Sequence, residues 1–217
     1  RCYARASAAR TRGGDEPGEH MVDATDFLTS INLFDLLAIL FVFAMFILGV
    51  IQGTIRRLLG LAAIIFSFLL ASQLRGPLGA FLASNWTHLP PEYSYMIGYG
   101  TVFVAASVAF SLVIQGFYRP QPLFARASFV DELLGGSVGI VQGLVILGAM
   151  IVILDSFYRL PGIAPNPHEL GLLRDLFRAY DSSGTAALFR GSLIPAFFAV
   201  LGGFVPDAVR GRYGVAG

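Results

Sequence analysis

Four stretches of this chain are long, strongly apolar and almost free of charged residues, which restricts the fold more than any other feature. They cover residues 36–51, 58–72, 96–117 and 133–154. A helix that rises ~1.5 Å per residue crosses the ~30 Å hydrocarbon core of a bilayer in ~20 apolar residues. The four stretches therefore predict four transmembrane helices.

The composition agrees with a membrane protein. Apolar residues make up 55% of the 217 residues and charged residues only 13%, with a mean hydropathy of +0.69. This leaves too little polar surface to cover a soluble globule of this size. We expect an all-α membrane protein, in which four transmembrane helices pack through glycine faces and amphipathic or interfacial helices follow. The lipid bilayer is its first partner.

Several other classes of protein are disfavoured. The formal net charge of +1 provides no cluster of cations for nucleic acid or for a polybasic anchor. Cys2 is the only cysteine, which excludes an intrachain disulfide and a cysteine metal cluster. The motif HExxH and a phosphate loop are absent from the sequence. We predict no enzyme activity, no cofactor and no metal, and we identify no small-molecule substrate.

Histidine provides no metal-site pattern either. His88 lies in a polar connection, while His20 and His168 are distant in sequence and show no ligand spacing. We interpret His88 as a solvated loop histidine.

Glycines recur every four residues in two of the apolar stretches. Gly49 lies near the end of the first stretch and Gly53 just after it, and Gly135, Gly139 and Gly143 lie in the fourth. This spacing places glycines on one face of a helix, where a second helix backbone approaches closely and gains packing contacts. We predict that these five residues form helix-packing faces. A pore lining or a ligand groove is the alternative use of the same pattern.

Charged residues flank the apolar stretches. Asp35 precedes the first stretch and Asp131 the fourth, so each carboxylate lies near the positive end of a helix dipole and is predicted to cap it. For Asp35, an intramembrane proton or ion site is the alternative. Arg56 and Arg57 separate the first two stretches, and a short loop with two arginines is typical of the cytoplasmic side.

The ends of the chain differ from its middle. Residues 1–30 are polar and lack periodicity, so we expect a disordered extension, with the native start at Met21, where the composition changes. Residues 31–155 form the four-helix transmembrane domain. Residues 156–206 combine a linker with amphipathic and interfacial helices, and residues 207–217 are expected to form a mobile tail.

Three boundaries follow from local patterns. Pro77 is predicted to end the second transmembrane helix, since proline does not continue a helix comfortably. Residues 170–180 alternate apolar and charged side chains with helical period and predict an amphipathic helix. Residues 192–206 are apolar but short of the ~20 residues needed to span, so an interfacial or re-entrant segment fits better than a fifth span.

Arginine counts suggest an orientation. The first and third connections carry arginines, whereas the approach to the first stretch from Met21 carries aspartates. By the positive-inside rule both termini are expected outside. The residues concerned are Arg56, Arg57, Arg119 and Arg126 against Asp23 and Asp26.

Two fragments together resemble a known family. FDLLAILFVFAMFILGVIQGTIRRLLGL contains Asp35 and Arg56, and VDELLGGSVGIVQGLVI contains Asp131 followed by the spaced glycines. LDSF at residues 154–157 and SLIP at residues 192–195 follow in the same order. In sequence and spacing they resemble the colicin V production protein family of bacterial inner-membrane proteins.

The resemblance implies a multi-pass inner-membrane protein that is required for colicin V production or export and is associated with envelope homeostasis. It supplies no molecular activity. The chain departs from the family pattern at Gln52 and Gln142, where the family often places arginine before the glycine.

Two functional hypotheses follow. The first is a non-enzymatic scaffold or assembly factor that docks a membrane-protein partner, or a second copy, through residues 170–180 and 192–206. The alternative is an oligomeric channel or transport subunit whose pore is lined by the glycine-rich fourth helix.

Overall fold

The computed structural model describes residues 32–117, 128–162, 166–206 and 211–213. Within these ranges the chain contains helices and no strand, which confirms the predicted all-α class. The predictions for residues 1–30, including the start at Met21, lie outside the described residues.

Six helices are described, and the first four include the four predicted apolar stretches. Five of the six, α1 to α4 and α6, are long and apolar enough to cross a membrane. Helix α6 contains a π-helical turn between two α-helical sections, and short 3-10 turns follow at Gly202–Phe204 and Gly211–Tyr213. The helices are α1 Leu33–Gln52, α2 Thr54–Asn85, α3 Pro91–Phe117, α4 Ser128–Tyr158, α5 Gly171–Asp181 and α6 Gly184–Leu201.

A single residue separates α1 from α2. Gly53 has φ = +74°, in the region where a side chain would be strained and glycine is favoured. The chain therefore reverses direction between two membrane helices without a longer loop.

Helix α2 continues well past its predicted end. Pro77 lies inside the helix, which extends to Asn85; the predicted end at Pro77 is wrong. This part of α2 packs closely on α3, since a Cβ atom on Gly79 would overlap the Tyr95 ring and one on Gly98 would lie 3.2 Å from the Gly79 nitrogen. The contact with α3 holds the last two turns of α2 in helical form.

Helices α1 and α4 run antiparallel. Gly49 contacts Gly135 near the end of α1, and Met45, one turn earlier, contacts Gly139 one turn further along α4. The start of α2 joins the same end, since Thr54 Oγ1 donates to the Asp131 carbonyl at 2.8 Å. We call this the Gly53 end of the bundle, and the opposite end the Asp155 end.

The aromatic core lies between α2, α3 and α6. Phe68 of α2 packs against Tyr99 and Phe103 of α3, with ring centroids 5.8 and 6.5 Å apart. Phe198 of α6 stacks on the same ring at 6.4 Å. All four side chains are buried, and the burial of apolar surface fixes α6 against the bundle.

Helix α6 starts at the Asp155 end. The amides of Gly184 and Thr185 donate to the two carboxylate oxygens of Asp35, in the first turn of α1, at 3.1 and 2.8 Å. From there α6 extends toward the middle of the bundle, where the Phe189 ring packs against Gly148 of α4. Gly148 lies about 10 Å along α4 from Asp155.

The chain after α6 returns to the same end. The Phe204 carbonyl accepts a hydrogen bond from Gln73 at 2.8 Å, and Gln73 lies about 28 Å along α2 from Thr54. Both attachments of the segment are thus far from the Gly53 end. Helix α6 begins earlier than predicted, at Gly184, and is long and apolar enough to span a membrane. The interfacial or re-entrant segment predicted for residues 192–206 therefore stays a prediction, which the two attachments at the Asp155 end favour.

Candidate functional site

A buried carboxylate near the end of α4 accepts hydrogen bonds from α5, from α6 and from the 3-10 turn at Gly211–Tyr213. Asp155 is 2% exposed. Its Oδ1 accepts from the Tyr180 hydroxyl at 2.8 Å and its Oδ2 from the Tyr213 hydroxyl at 3.1 Å. Arg190 donates to both oxygens, from Nη2 at 2.7 Å and from Nε at 2.9 Å. We call these four residues the Asp155 network.

Arg190 also pairs with a second acidic residue, Asp181. Its Nη1 lies 2.8 Å from Asp181 at the end of α5, and its guanidinium lies over the Tyr180 ring, 5.3 Å from the centroid. The planar guanidinium suits this role because its fork matches a carboxylate in two-point contact. One arginine therefore joins α4, α5 and α6.

The electrostatics explain why these groups occur together. A buried ion is costly unless it is paired and hydrogen-bonded, and each charge here has a counter-charge. Burial, together with the Asp155 carboxylate, raises the pKa of the Tyr180 and Tyr213 hydroxyls above the ordinary tyrosine value. Both phenols are therefore neutral donors at physiological pH.

Two cavities lie beside this network. A cleft of about 360 Å³ opens next to Asp155, between Arg159 and Tyr213. An apolar cavity of about 180 Å³ lies deeper, between α4, Phe68 and Phe197. Of these two cavities, the cleft is the one that the described residues line with charged and hydroxyl groups.

The predicted packing glycines lie on one interface, between α1 and α4. A Cβ atom on Gly49, Gly135 or Gly139 would overlap backbone atoms of the facing helix. A Cβ atom on Gly143 would lie 3.3 Å from the Met45 side chain, which is a looser contact. Gly53 differs from the other four, because it forms the turn between α1 and α2.

The predicted caps have different surroundings. Asn32, rather than Asp35, caps α1, with its side chain accepting from the Phe34 amide at 3.1 Å; Asp35 instead binds the first amides of α6. Asp131 is buried in the first turn of α4, where its Oδ1 has no hydrogen-bond partner. Arg56 is half-buried at the Gly53 end.

Sequence reasoning did not predict that three charged side chains are shielded from solvent: Arg57, which we assigned to a short loop, Asp155 and Arg190. Arg57 is 6% exposed, more deeply buried than its neighbour Arg56. A signal was present, since an ionisable residue within an apolar membrane segment is by default a functional candidate. The sequence did not show that Asp155 and Arg190, which are 35 positions apart, pair with each other.

Two further groups lie closer together than expected. The His88 and His168 rings are 5.5 Å apart, although the two residues are distant in sequence and we interpreted His88 as a solvated loop histidine. Tyr213, in the segment predicted as a mobile tail, packs on Phe198 with ring centroids 5.8 Å apart. In the part of the chain that the structure describes, no three potential metal-ligating side chains cluster.

Comparison with known proteins assigns a family. The model of the colicin V production protein family matches residues 34–177, which include α1 to α4 and most of α5. No curated protein and no solved structure shows significant similarity to the chain. The family description associates its members with colicin V production. Because the match covers more than half of the sequence, this membrane protein belongs to the colicin V production protein family.

Proposed function

We propose that the protein is a non-enzymatic scaffold or assembly factor of the bacterial inner membrane, acting in colicin V production or export and in envelope homeostasis. The Asp155 network is the observation that carries this proposal. A catalytic or transport site needs groups that exchange partners with a substrate, whereas Asp155 and Arg190 are engaged with each other and with groups of the same chain. The network supports a structural role, because it holds α5 and α6 on α4.

Exposed apolar side chains at the Asp155 end support the same proposal. Leu170 and Leu172, at the start of α5, are 60% and 79% exposed, and Phe204, after α6, is 64% exposed. Large apolar side chains on an exposed amphipathic helix suit an interfacial helix or a helix that contacts another protein. The Asp155 network holds α5 and α6 on α4 and so fixes the positions of these side chains.

The alternative, a channel lined by the glycine-rich helix, has less support. In the monomer the glycine face of α4 is covered by α1, with Gly139 against the Met45 backbone. A pore lined by this face would require α1 to leave α4, with the loss of the close packing that glycine allows.

The test uses a colicin V producer strain without its own copy of this gene. We expect Leu172→Glu, at an exposed apolar residue near the start of α5, to reduce secreted toxin while the purified variant keeps its thermal midpoint. The matched control is Arg178→Glu, on the polar side of the same helix, which should restore secretion. Wild-type secretion with Leu172→Glu, or ion conductance by the purified protein in liposomes, would contradict the scaffold.

A further inference from the structure

A buried arginine near the Gly53 end has only neutral partners. Arg57 is 6% exposed and lies one turn inside α2. Its Nη1 donates to Gln142 Oε1 at 2.9 Å and lies 3.9 Å from Met45 Sδ. Its Nε is buried and has no hydrogen-bond partner.

No carboxylate of the described residues forms an ion pair with this guanidinium. An uncompensated charge in a low-dielectric interior is costly, and buried arginines normally find an anion. Arg190, at the other end of the bundle, shows the usual solution, with Asp155 and Asp181 as partners. Arg57 lacks this compensation.

The described charges at the Gly53 end have both signs. Arg56 is adjacent to Arg57, and Asp131 and Glu132 lie near the start of α4. Asp131 lies beside Thr54, and its Oδ1 has no hydrogen-bond partner. Neither of these two carboxylates forms an ion pair with Arg57.

We propose that Arg57 binds a phosphate oxyanion that enters from the Gly53 end, and that the anion is the headgroup phosphate of an anionic phospholipid. Guanidinium groups bind phosphate in two-point geometry, and Gln142 holds Nη1 while Nε is left for the ligand. By the positive-inside rule, Arg56 and Arg57 at the start of α2 mark this end as the cytoplasmic leaflet, where anionic lipids lie. The inference does not depend on the scaffold function.

The experiment measures the thermal unfolding midpoint of the full chain in neutral detergent. Phosphatidylglycerol, phosphatidylcholine and inorganic phosphate are added separately to wild type, Arg57→Gln and Arg56→Gln. The two variants lose the same charge from neighbouring positions. We expect phosphatidylglycerol to raise the midpoint of wild type and Arg56→Gln by several degrees, and to leave Arg57→Gln unchanged.

The other outcomes distinguish the anion source. If inorganic phosphate gives the same Arg57-dependent rise, the site takes a free oxyanion of the same chemistry. An equal rise in wild type and Arg57→Gln, or no rise in wild type with either anion, overturns the proposal.

A conservative variant keeps the test valid if Arg57→Gln does not fold. Arg57→Lys keeps the charge but loses the guanidinium fork, so it should need about tenfold more phosphatidylglycerol for half of the wild-type rise. An Arg57→Lys response equal to that of wild type would also overturn the proposal.

Discussion

At the scale of single residues, burial determines whether an ion pair stabilises this protein. Asp155 and Arg190 are both shielded, with side chains 3% and 14% exposed, and each neutralises the other. Asp175 and Arg178 form a pair of the same charges with side chains 74% and 65% exposed, where solvent screening leaves little net stabilisation. The same chemistry therefore stabilises the structure in one place and contributes little in the other.

The first prediction concerns the removal of one buried partner. Asp155→Asn should destabilise the protein by about 3–5 kcal/mol, because Arg190 loses its main counter-charge within the bundle. Asp175→Asn, the exposed control, should change stability by less than about 1 kcal/mol. Thermal or denaturant unfolding in detergent measures both. Equal effects of the two substitutions would show that the Asp155 network is not a main contributor to stability.

The second prediction concerns alkaline pH. The folded protein raises the pKa of Tyr213, so its hydrogen bond to Asp155 stabilises the fold fully below the unfolded tyrosine value of about 10 and is lost as pH rises. Wild type should exceed Tyr213→Phe in stability by a constant margin from pH 7 to about pH 9. The margin should close above about pH 10. A stability difference between wild type and Tyr213→Phe that widens as pH rises would contradict a raised pKa for Tyr213.

At the scale of helices, glycine spacing and backbone approach determine the α1–α4 interface. The spacing of Gly135, Gly139 and Gly143 was readable because helical periodicity is local. Which of these glycines is most restrictive was not readable, since it depends on the facing atoms. Gly139 meets the Met45 backbone, whereas Gly143 meets a flexible side chain.

The third prediction uses two glycines of α4. Gly139→Ala should lower the thermal midpoint, because the added methyl overlaps the Met45 carbonyl and separates the helices. Gly148→Ala has room, with the nearest atom of Phe189 at 3.5 Å, and should be neutral or stabilise by about 0.5–1 kcal/mol through helix propensity. Equal midpoints for both variants would argue against close backbone packing at Gly139.

At the scale of the whole molecule, the path of α6 determines the topology. Length and hydropathy alone make α6 a fifth candidate span. Its first amides bind Asp35, and the chain after it binds Gln73. Since both attachments are distant from the Gly53 end, we expect four crossings and a re-entrant α6.

The fourth prediction tests this path by cysteine labelling in a Cys2→Ser background. Cysteines at Leu172 and Phe204, both exposed, should react with an impermeant reagent from the same side of the membrane. A cysteine at Phe117, the last residue of α3 at the Gly53 end, should react from the opposite side. Labelling of positions 172 and 204 from opposite sides would establish a fifth crossing.

The sequence alone determined the class of the protein, its four long apolar helices, its glycine faces and its family resemblance. These properties come from composition and spacing within short segments, which a linear sequence shows directly. Only the tertiary structure decided that Asp35 binds the start of α6, that Asp155 pairs with Arg190, and that the chain after α6 bonds to Gln73 of α2. Such contacts join residues up to about 150 positions apart, and their energy depends on distance and burial in space.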